Sequence, residues 1–154
     1  MFVKTGSGRQ RFNVLGALNA VTHESITVTH EPYINAQSVC ELLHKLANLE
    51  LSTSITLVLD NARYQKCALG MELAQSLNIE LLYLTAYSPN LNLIERLWKF
   101  VKKQCLYSVY YADFNGFKAA ITACLSQCHT TYKHELDSLL TLRFQSFKKT
   151  KPVP

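Results

Sequence analysis

Two short apolar runs with a helical pattern between them constrain the fold of this 154-residue chain most strongly. The runs lie in "SITLVLD" (54–60) and "IELLYLTAY" (79–87), and the segment 67–78 between them has the composition of a helix. Short continuous apolar runs are typical of strands that are buried on both faces of a parallel sheet. This strand–helix–strand unit therefore predicts parallel pairing in an α/β layer fold.

The segments on either side extend the pattern. Alternating and β-branched residues predict strands at 10–20 and 24–33 with a turn at Thr22–His23, and leucines at helical spacing predict a helix at 36–49. After a turn at Pro89, helix is predicted from about Leu91 and in two further pieces between 114 and 147. The opening hairpin makes the predicted sheet mixed. We expect one domain, residues 1–148, and a loose tail, residues 149–154.

The charge and the N-terminal segment narrow the class of protein. The formal net charge of +5 is compatible with a polyanionic partner such as nucleic acid. No apolar run reaches about 18 residues, so no transmembrane helix or membrane partner is expected. The segment "MFVKTGSGRQRF" has no apolar signal-peptide core, which predicts a cytoplasmic location.

The five cysteines fit no disulfide framework. Cys124, Cys128, His129 and His134 are close enough in sequence to suggest a zinc site. The chain has no C-x-x-C pair, however, and Cys124 and Cys128 have the spacing of one helix face. We therefore expect these two cysteines to belong to the core.

Two carboxylates are candidates for a metal site. Asp60 is the first polar residue after the apolar run, and Glu95 follows it after 34 intervening residues, in the first turn of a predicted helix. Taken singly, each has a structural explanation. Asp60 could be a turn or N-cap residue, and Glu95 could be an acid that the helix dipole favours near the helix N-terminus. Together they belong to elements that should converge at one sheet edge, where they would suit Mg²⁺. Pairs of such ions serve phosphodiester cleavage and strand transfer.

Two longer motifs carry a family resemblance. "LVLDNARYQ" followed by "LLYLTAYSPNLNLIERLWKFVKKQ" resembles the catalytic domain of bacterial insertion-sequence transposases of the mariner-like superfamily. The resemblance extends from about Gly6 to the helices near Leu125. It implies a ribonuclease-H-like fold, Mg²⁺ or Mn²⁺ as cofactor, and cleavage and strand transfer at transposon-end DNA. It also implies that Asp60 is the second catalytic aspartate and Glu95 the catalytic glutamate. Asn61 would shape the turn after Asp60. The loop before Glu95 would be shaped by Tyr87, Ser88, Pro89 and Asn92.

The family's first catalytic aspartate has no counterpart here. No aspartate precedes Asp60, and the resemblance implies that the first, central strand is lacking. The upstream glutamates do not replace it: Glu31 would lie three strands away, roughly 14 Å at about 4.8 Å per strand. The others fall in the hairpin turn or on or after a helix, and they are Glu24, Glu41 and Glu50. We expect a partial domain that is inactive alone, either a remnant or a frameshift product, completed by an upstream polypeptide or a dimer partner.

A basic helix follows Glu95. Arg96, Lys99, Lys102 and Lys103 lie opposite an apolar face, and Lys99 and Lys102 share the face of Glu95. A solvated helix surface explains them equally well from the residues alone. With the resemblance, they and Arg63 are predicted to contact DNA phosphates.

Two other functions stay open. A non-catalytic, regulatory DNA-binding fragment would bind DNA in a salt-sensitive way without cleaving it. A ribonuclease-H-like nuclease that is active as it stands would need a third acidic ligand. Asp113 and Asp137 are instead expected at helix starts.

Overall fold

A computed structural model describes residues 2–4, 10–31, 33–60, 65–84, 92–107 and 109–141. The elements follow the predicted order with one addition at the N-terminus. They are β1 (Phe2–Lys4), β2 (Arg11–Leu18), β3 (Ser25–His30), α1 (Ala36–Ala47), β4 (Ile55–Leu59), α2 (Ala68–Ser76), β5 (Ile79–Tyr83), α3 (Leu93–Cys105), α4 (Phe114–Ser126) and α5 (Lys133–Leu139). Nowhere in these ranges is a helix long and apolar enough to cross a membrane.

The strands form two groups. β1, β2 and β3 make an antiparallel sheet in that order, with Leu15 opposite Val28 in the hairpin. β4 and β5 pair in parallel, from Ile55 opposite Ile79 to Leu59 opposite Tyr83, as the strand–helix–strand pattern predicted. Within the described residues the fold therefore combines the predicted hairpin and parallel unit.

The expectation that no strand precedes β2 needs a correction. The three residues of β1 pair with β2, Phe2 opposite Asn13 and Lys4 opposite Arg11. Three residues are too few to show an alternating pattern, so the sequence could not indicate this strand. β1 carries no acidic residue, and the prediction that no aspartate stands there is unchanged.

Helices cover both faces of β2. Phe12 and Val14 belong to one core cluster together with buried residues of α3, α4 and α5, such as Leu97. Leu15 and Ala17 belong to a second cluster with residues of α1 and α2. The alternation of side chains along a strand explains this division, and it places α3 on the face of β2 opposite α1.

Among the described residues, β4 and β5 are covered on one face only, contrary to the prediction. Val58 is 43% and Leu82 is 51% exposed, and on the same face Thr56 Oγ1 donates to Glu80 Oε2 at 3.0 Å. The opposite face, with Ile55 and other apolar residues, packs into the cluster of α1 and α2. An apolar run indicates a strand, but it does not show how many helical layers cover it.

Of the two aspartates that were predicted at helix starts, one caps a helix and the other lies inside one. Asp113 is the N-cap of α4, and its Oδ1 accepts from Gly116 N at 2.7 Å, as expected. Asp137 lies inside α5, where its carboxylate is 2.9 Å from His23 Nδ1 and 3.5 Å from Lys133 Nζ. Asp137 thus ties α5 to the turn between β2 and β3, and its predicted capping role is wrong.

The cysteines of α3, of α4 and of the segment just after α4 are part of the core. Cys105, Cys124 and Cys128 are buried, and burial raises the pKa of the Cys105 thiol to about 12. Hydrogen bonding to Cys128 and burial raise the pKa of Cys124 as well. The histidines of the zinc alternative, His129 and His134, lie at the surface, and no group of three potential metal ligands occurs in the described ranges.

Candidate metal and nucleic-acid site

Asp60 follows directly after β4, at the carboxyl end of the parallel pair. Leu59 before it is buried, and the Leu84 N–H donates to the Leu59 carbonyl at 2.8 Å, which continues the pairing of the two strands to this end. The backbone that carries Asp60 is thereby fixed by both packing and hydrogen bonding. This is the sheet edge where the alternation of strands and helices predicted it.

Asn92 connects Asp60 to α3. It is the N-cap of α3, where its Oδ1 accepts from Ile94 N at 3.3 Å, and its Nδ2 donates to Asp60 Oδ1 at 3.0 Å. One side-chain amide therefore both begins the helix and holds the helix start against the tip of β4. The resemblance implied only that Asn92 shapes the loop before Glu95, whereas the structure gives it a direct contact with the aspartate.

Glu95 lies in the first turn of α3 and shares the electrostatic environment of Asp60. Burial raises the pKa of Glu95, the negative charge of Asp60 raises it further, and Lys99 acts in the opposite direction. The predicted convergence of the two carboxylates is thus consistent with the geometry. A catalytic or metal-binding role for them stays a prediction.

A glycine in β2 allows α3 to approach the sheet closely. A Cβ atom at Gly16 would lie 2.8 Å from Cη2 and 3.0 Å from Cζ2 of Trp98, and 3.3 Å from Cδ1 of Ile94. Because no side chain other than hydrogen fits there, the indole ring packs directly on the strand. The sequence predicted an apolar face on α3 but not its contact with Gly16. A glycine inside the alternating strand pattern was the available signal.

The upstream glutamates have other positions and partners. Glu50 follows α1 with a left-handed backbone, φ 48°. The other three contact neighbouring side chains, in the pairs Glu24–Thr22, Glu41–His30 and Glu31–Lys118. The partners in these contacts are Thr22, His30 and Lys118, and the expectation that none of the four glutamates replaces the missing aspartate stays a prediction.

Arg96 has a structural role that the sequence did not indicate. Its guanidinium donates to the carbonyl oxygens of Thr141, at 2.9 Å, and Leu139, at 3.4 Å. Carbonyl groups at the end of a helix attract cations, so Arg96 stabilises the end of α5 against α3. The predicted DNA contact of Arg96 competes with this intramolecular role.

The remaining basic residues of α3 are available at the surface. Lys99 and Lys103 are exposed and Lys102 is half-buried; we refer to these three lysines as the basic face. Arg63, the other predicted phosphate contact, lies outside the described residues, as do Asn61, Tyr87, Ser88 and Pro89.

Solved structures with a similar fold include an integrase core domain and a chain of an intasome complex. The catalytic core domain of BIV integrase matches with a TM-score of 0.61 and 17% sequence identity, over 90% of this chain and 91% of that chain. A chain in the simian T-cell lymphotropic virus intasome complex with PP2A regulatory subunit B56 gamma matches with a TM-score of 0.65 and 14% identity, over 99% of this chain and 56% of that chain. These matches show a ribonuclease-H-like fold.

Sequence comparison identifies the family. No curated protein matches the chain. The family profile described as "DDE superfamily endonuclease" matches residues 2–118, which include both candidate carboxylates and all of α3. Since this match spans well over half of the sequence, the chain belongs to the DDE superfamily endonuclease family.

Proposed function

We propose that this chain supplies the second aspartate, Asp60, and the glutamate, Glu95, of a metal-dependent transposase site. The site would cleave DNA and transfer strands at the ends of a bacterial insertion sequence of the mariner-like superfamily. The observation that carries the proposal is the hydrogen bond from Asn92 Nδ2 to Asp60 Oδ1, because it brings the start of α3, and with it Glu95, to the tip of β4. Membership of the DDE family supports the same roles.

The two carboxylates suit a hard divalent cation such as Mg²⁺ or Mn²⁺. Both offer oxygen ligands, and in the hydrogen bond with Asn92 the acceptor on Asp60 is Oδ1 and not Oδ2. Burial raises the pKa of Glu95, the negative charge of Asp60 raises it further, and a cation between the two carboxylates would offset this repulsion. When bound, such an ion lowers the pKa of an attacking water or 3′-hydroxyl and stabilises the leaving oxygen.

The residues of the chain have distinct roles in this proposal. Asp60 and Glu95 hold the ion, and Asn92 fixes the distance between the strand tip and the helix. Lys99 lies one turn beyond Glu95, where it would contact a phosphate of the bound strand. The other lysines of the basic face would extend these contacts along the helix without reading bases.

A third carboxylate would have to come from elsewhere. No aspartate precedes Asp60, and the described residues hold no cluster of three potential ligands. We therefore propose that the chain is inactive alone and that an upstream transposase polypeptide or a dimer partner completes the site. In the incubation of the purified chain with transposon-end DNA and Mn²⁺, we expect no cleavage. Efficient cleavage that depends on Asp60 would instead support a nuclease that is active as it stands.

Metal titration by calorimetry tests the site itself. We expect weak Mn²⁺ binding to the wild type that is lost in Asp60→Asn and in Glu95→Gln. Glu72→Gln is the matched control, because Glu72 is an exposed glutamate on α2 and its removal should leave the affinity unchanged. Equal binding in all four proteins would contradict the proposed ligands.

A regulatory role is the second candidate function. The basic face, together with the lack of a cluster of three potential metal ligands among the described residues, fits a fragment that binds DNA without cutting it. Its binding should weaken steeply with salt, and each lysine that contacts a phosphate should contribute about 0.9 to the slope of log K against log salt. Competition with an intact transposase on the same DNA would distinguish this role from a completed catalytic site.

A further inference from the structure

Two tyrosines stand out at the C-terminal end of α3. Tyr107 is 65% and Tyr110 is 89% exposed, and both lie between α3 and α4, where we call residues 106–107 and 109–113 the tyrosine loop. Burial of large aromatic side chains is favourable, so two exposed tyrosines three positions apart leave apolar ring surface in contact with water. Their position therefore requires an explanation.

The tyrosine loop is anchored to the rest of the fold on both sides of the two exposed rings. The Tyr111 hydroxyl donates to the Cys105 carbonyl at 2.7 Å, and its ring packs edge-on against Phe117 with centroids 5.5 Å apart. On the other side, the N–H groups of Leu106 and Tyr107 donate to the Lys102 carbonyl, at 2.8 and 3.3 Å. The loop thus holds Tyr111 half-buried, whereas Tyr107 and Tyr110 are exposed.

The surroundings of the loop are cationic. Lys102 and Lys103 occupy the last turn of α3, immediately before it, and Lys99 continues the basic face toward Glu95. Glu95 and the end of the helix at Cys105 are roughly 15 Å apart, at about 1.5 Å per residue. The acidic residue of the loop, Asp113, uses its Oδ1 to cap α4. A polyanion that contacts the basic face would therefore reach the tyrosine loop.

We propose that Tyr107 and Tyr110 stack on unpaired bases of a DNA strand whose phosphates contact Lys102 and Lys103. The inference rests on the proposed DNA-binding function and adds to it a preference for single-stranded or frayed DNA. Surfaces that combine exposed aromatic rings with cations bind single strands in this way, since every base has a face on which a ring can stack. The cationic environment favours a nucleic acid over a neutral apolar protein surface as the partner.

The test compares two oligonucleotides of equal length and charge, one with bases and one abasic, by fluorescence anisotropy. We expect the wild type to bind the strand with bases at least about tenfold more tightly. The double variant Tyr107→Ser/Tyr110→Ser should lose this preference and keep its affinity for the abasic strand. Tyr33→Ser is the matched control, because Tyr33 is 63% exposed before α1 and should not affect either strand.

The outcomes distinguish a failure of the stacking inference from a failure of the proposed DNA binding by the basic face. Lys103→Gln should weaken both strands to the same extent, because phosphate contacts do not depend on bases. Binding of both strands with equal affinity by the wild type would overturn the stacking inference and leave the phosphate contacts standing. An equal loss for both strands in the double variant would also overturn it. Absence of binding to either strand would overturn the inference together with the DNA role of the basic face.

Discussion

The two ends of α3 are built differently. At the N-terminal end, Asn92 bonds to Asp60, Arg96 to the end of α5, and Trp98 packs on Gly16. At the C-terminal end the tyrosine loop is anchored by hydrogen bonds, but Lys103, Tyr107 and Tyr110 are exposed. The contrast suggests that one end is held to fixed geometry, as ligands of a metal require, while the other offers charge and aromatic surface to a large partner.

The largest expected effect follows from filling the space at Gly16. Gly16→Ala places a methyl group 2.8 Å from the Trp98 ring, so the ring and the helix must move, and we expect a loss of stability of about 1–3 kcal/mol. Urea denaturation measures this loss. Trp98 is the only tryptophan of the chain, and its fluorescence reports the displacement directly.

Two variants control for this prediction. Gly70→Ala makes the same chemical change in α2, where the nearest atoms are 3.4 and 3.5 Å from the new Cβ, and it should be tolerated. Gly16→Ala/Trp98→Leu removes the colliding ring atoms and should lose less stability than the sum of its single changes. Simple additivity would contradict the direct contact between Gly16 and Trp98.

The next effect concerns the cap of α3. Asn92→Ala removes the N-cap bond and the contact with Asp60, and we expect a loss of about 1–2 kcal/mol together with weaker Mn²⁺ binding. Asn35→Ala removes the equivalent cap of α1 and should lower stability without changing metal affinity. If the two variants affect metal binding equally, Asn92 has no special role at the site.

A smaller effect is expected for Arg96. Arg96→Gln weakens the bonds to the carbonyls of Leu139 and Thr141, so α5 should exchange its amide hydrogens faster, with a stability loss of about 1 kcal/mol. Lys99→Gln, on the same helix, should leave α5 unchanged. Stronger loss of DNA affinity in Arg96→Gln than in Lys99→Gln would show that Arg96 serves DNA as originally predicted.

The smallest effect is a change in the titration of Glu95. Burial and the charge of Asp60 raise the pKa of Glu95 in the folded chain, so its charged form lowers the free energy of unfolding at neutral pH. This loss is recovered when Glu95 is protonated as the pH falls through the raised pKa. Asp60→Asn removes the repulsion, so the pKa of Glu95 should fall toward its usual value. A carbon-13 NMR titration of the Glu95 carboxyl measures this, and Asp113→Asn should leave it unchanged.

The sequence predicted the elements that carry the site. Parallel strands with a helix between them bring their carboxyl ends to one edge, so the meeting of Asp60 with the helix of Glu95 followed from topology. The contact of Gly16 with Trp98 did not, because it depends on the angle at which α3 crosses β2. The pattern of residue types does not specify this crossing angle.

Three further features could not be predicted because they depend on residues distant in sequence, on which layers pack on a strand, or on very short elements. Arg96 bonds to carbonyls more than 40 residues away in sequence, so its spacing on the helix suggested only a surface cation. The exposed face with Val58 and Leu82 was predicted to be buried, because apolar runs do not reveal which layers pack on a strand. The three residues of β1 were too short to form a pattern.

Paramagnetic broadening by Mn²⁺ tests the central claim most directly, namely that Asp60 and Glu95 bind one divalent ion together. Substoichiometric Mn²⁺ should broaden the NMR signals of Asp60, Asn92 and Glu95 first and leave those of α2, including Glu72, sharp. In Asp60→Asn and in Glu95→Gln this localised broadening should disappear. Broadening that is spread over surface carboxylates, or that persists at the same place in both variants, would contradict the account.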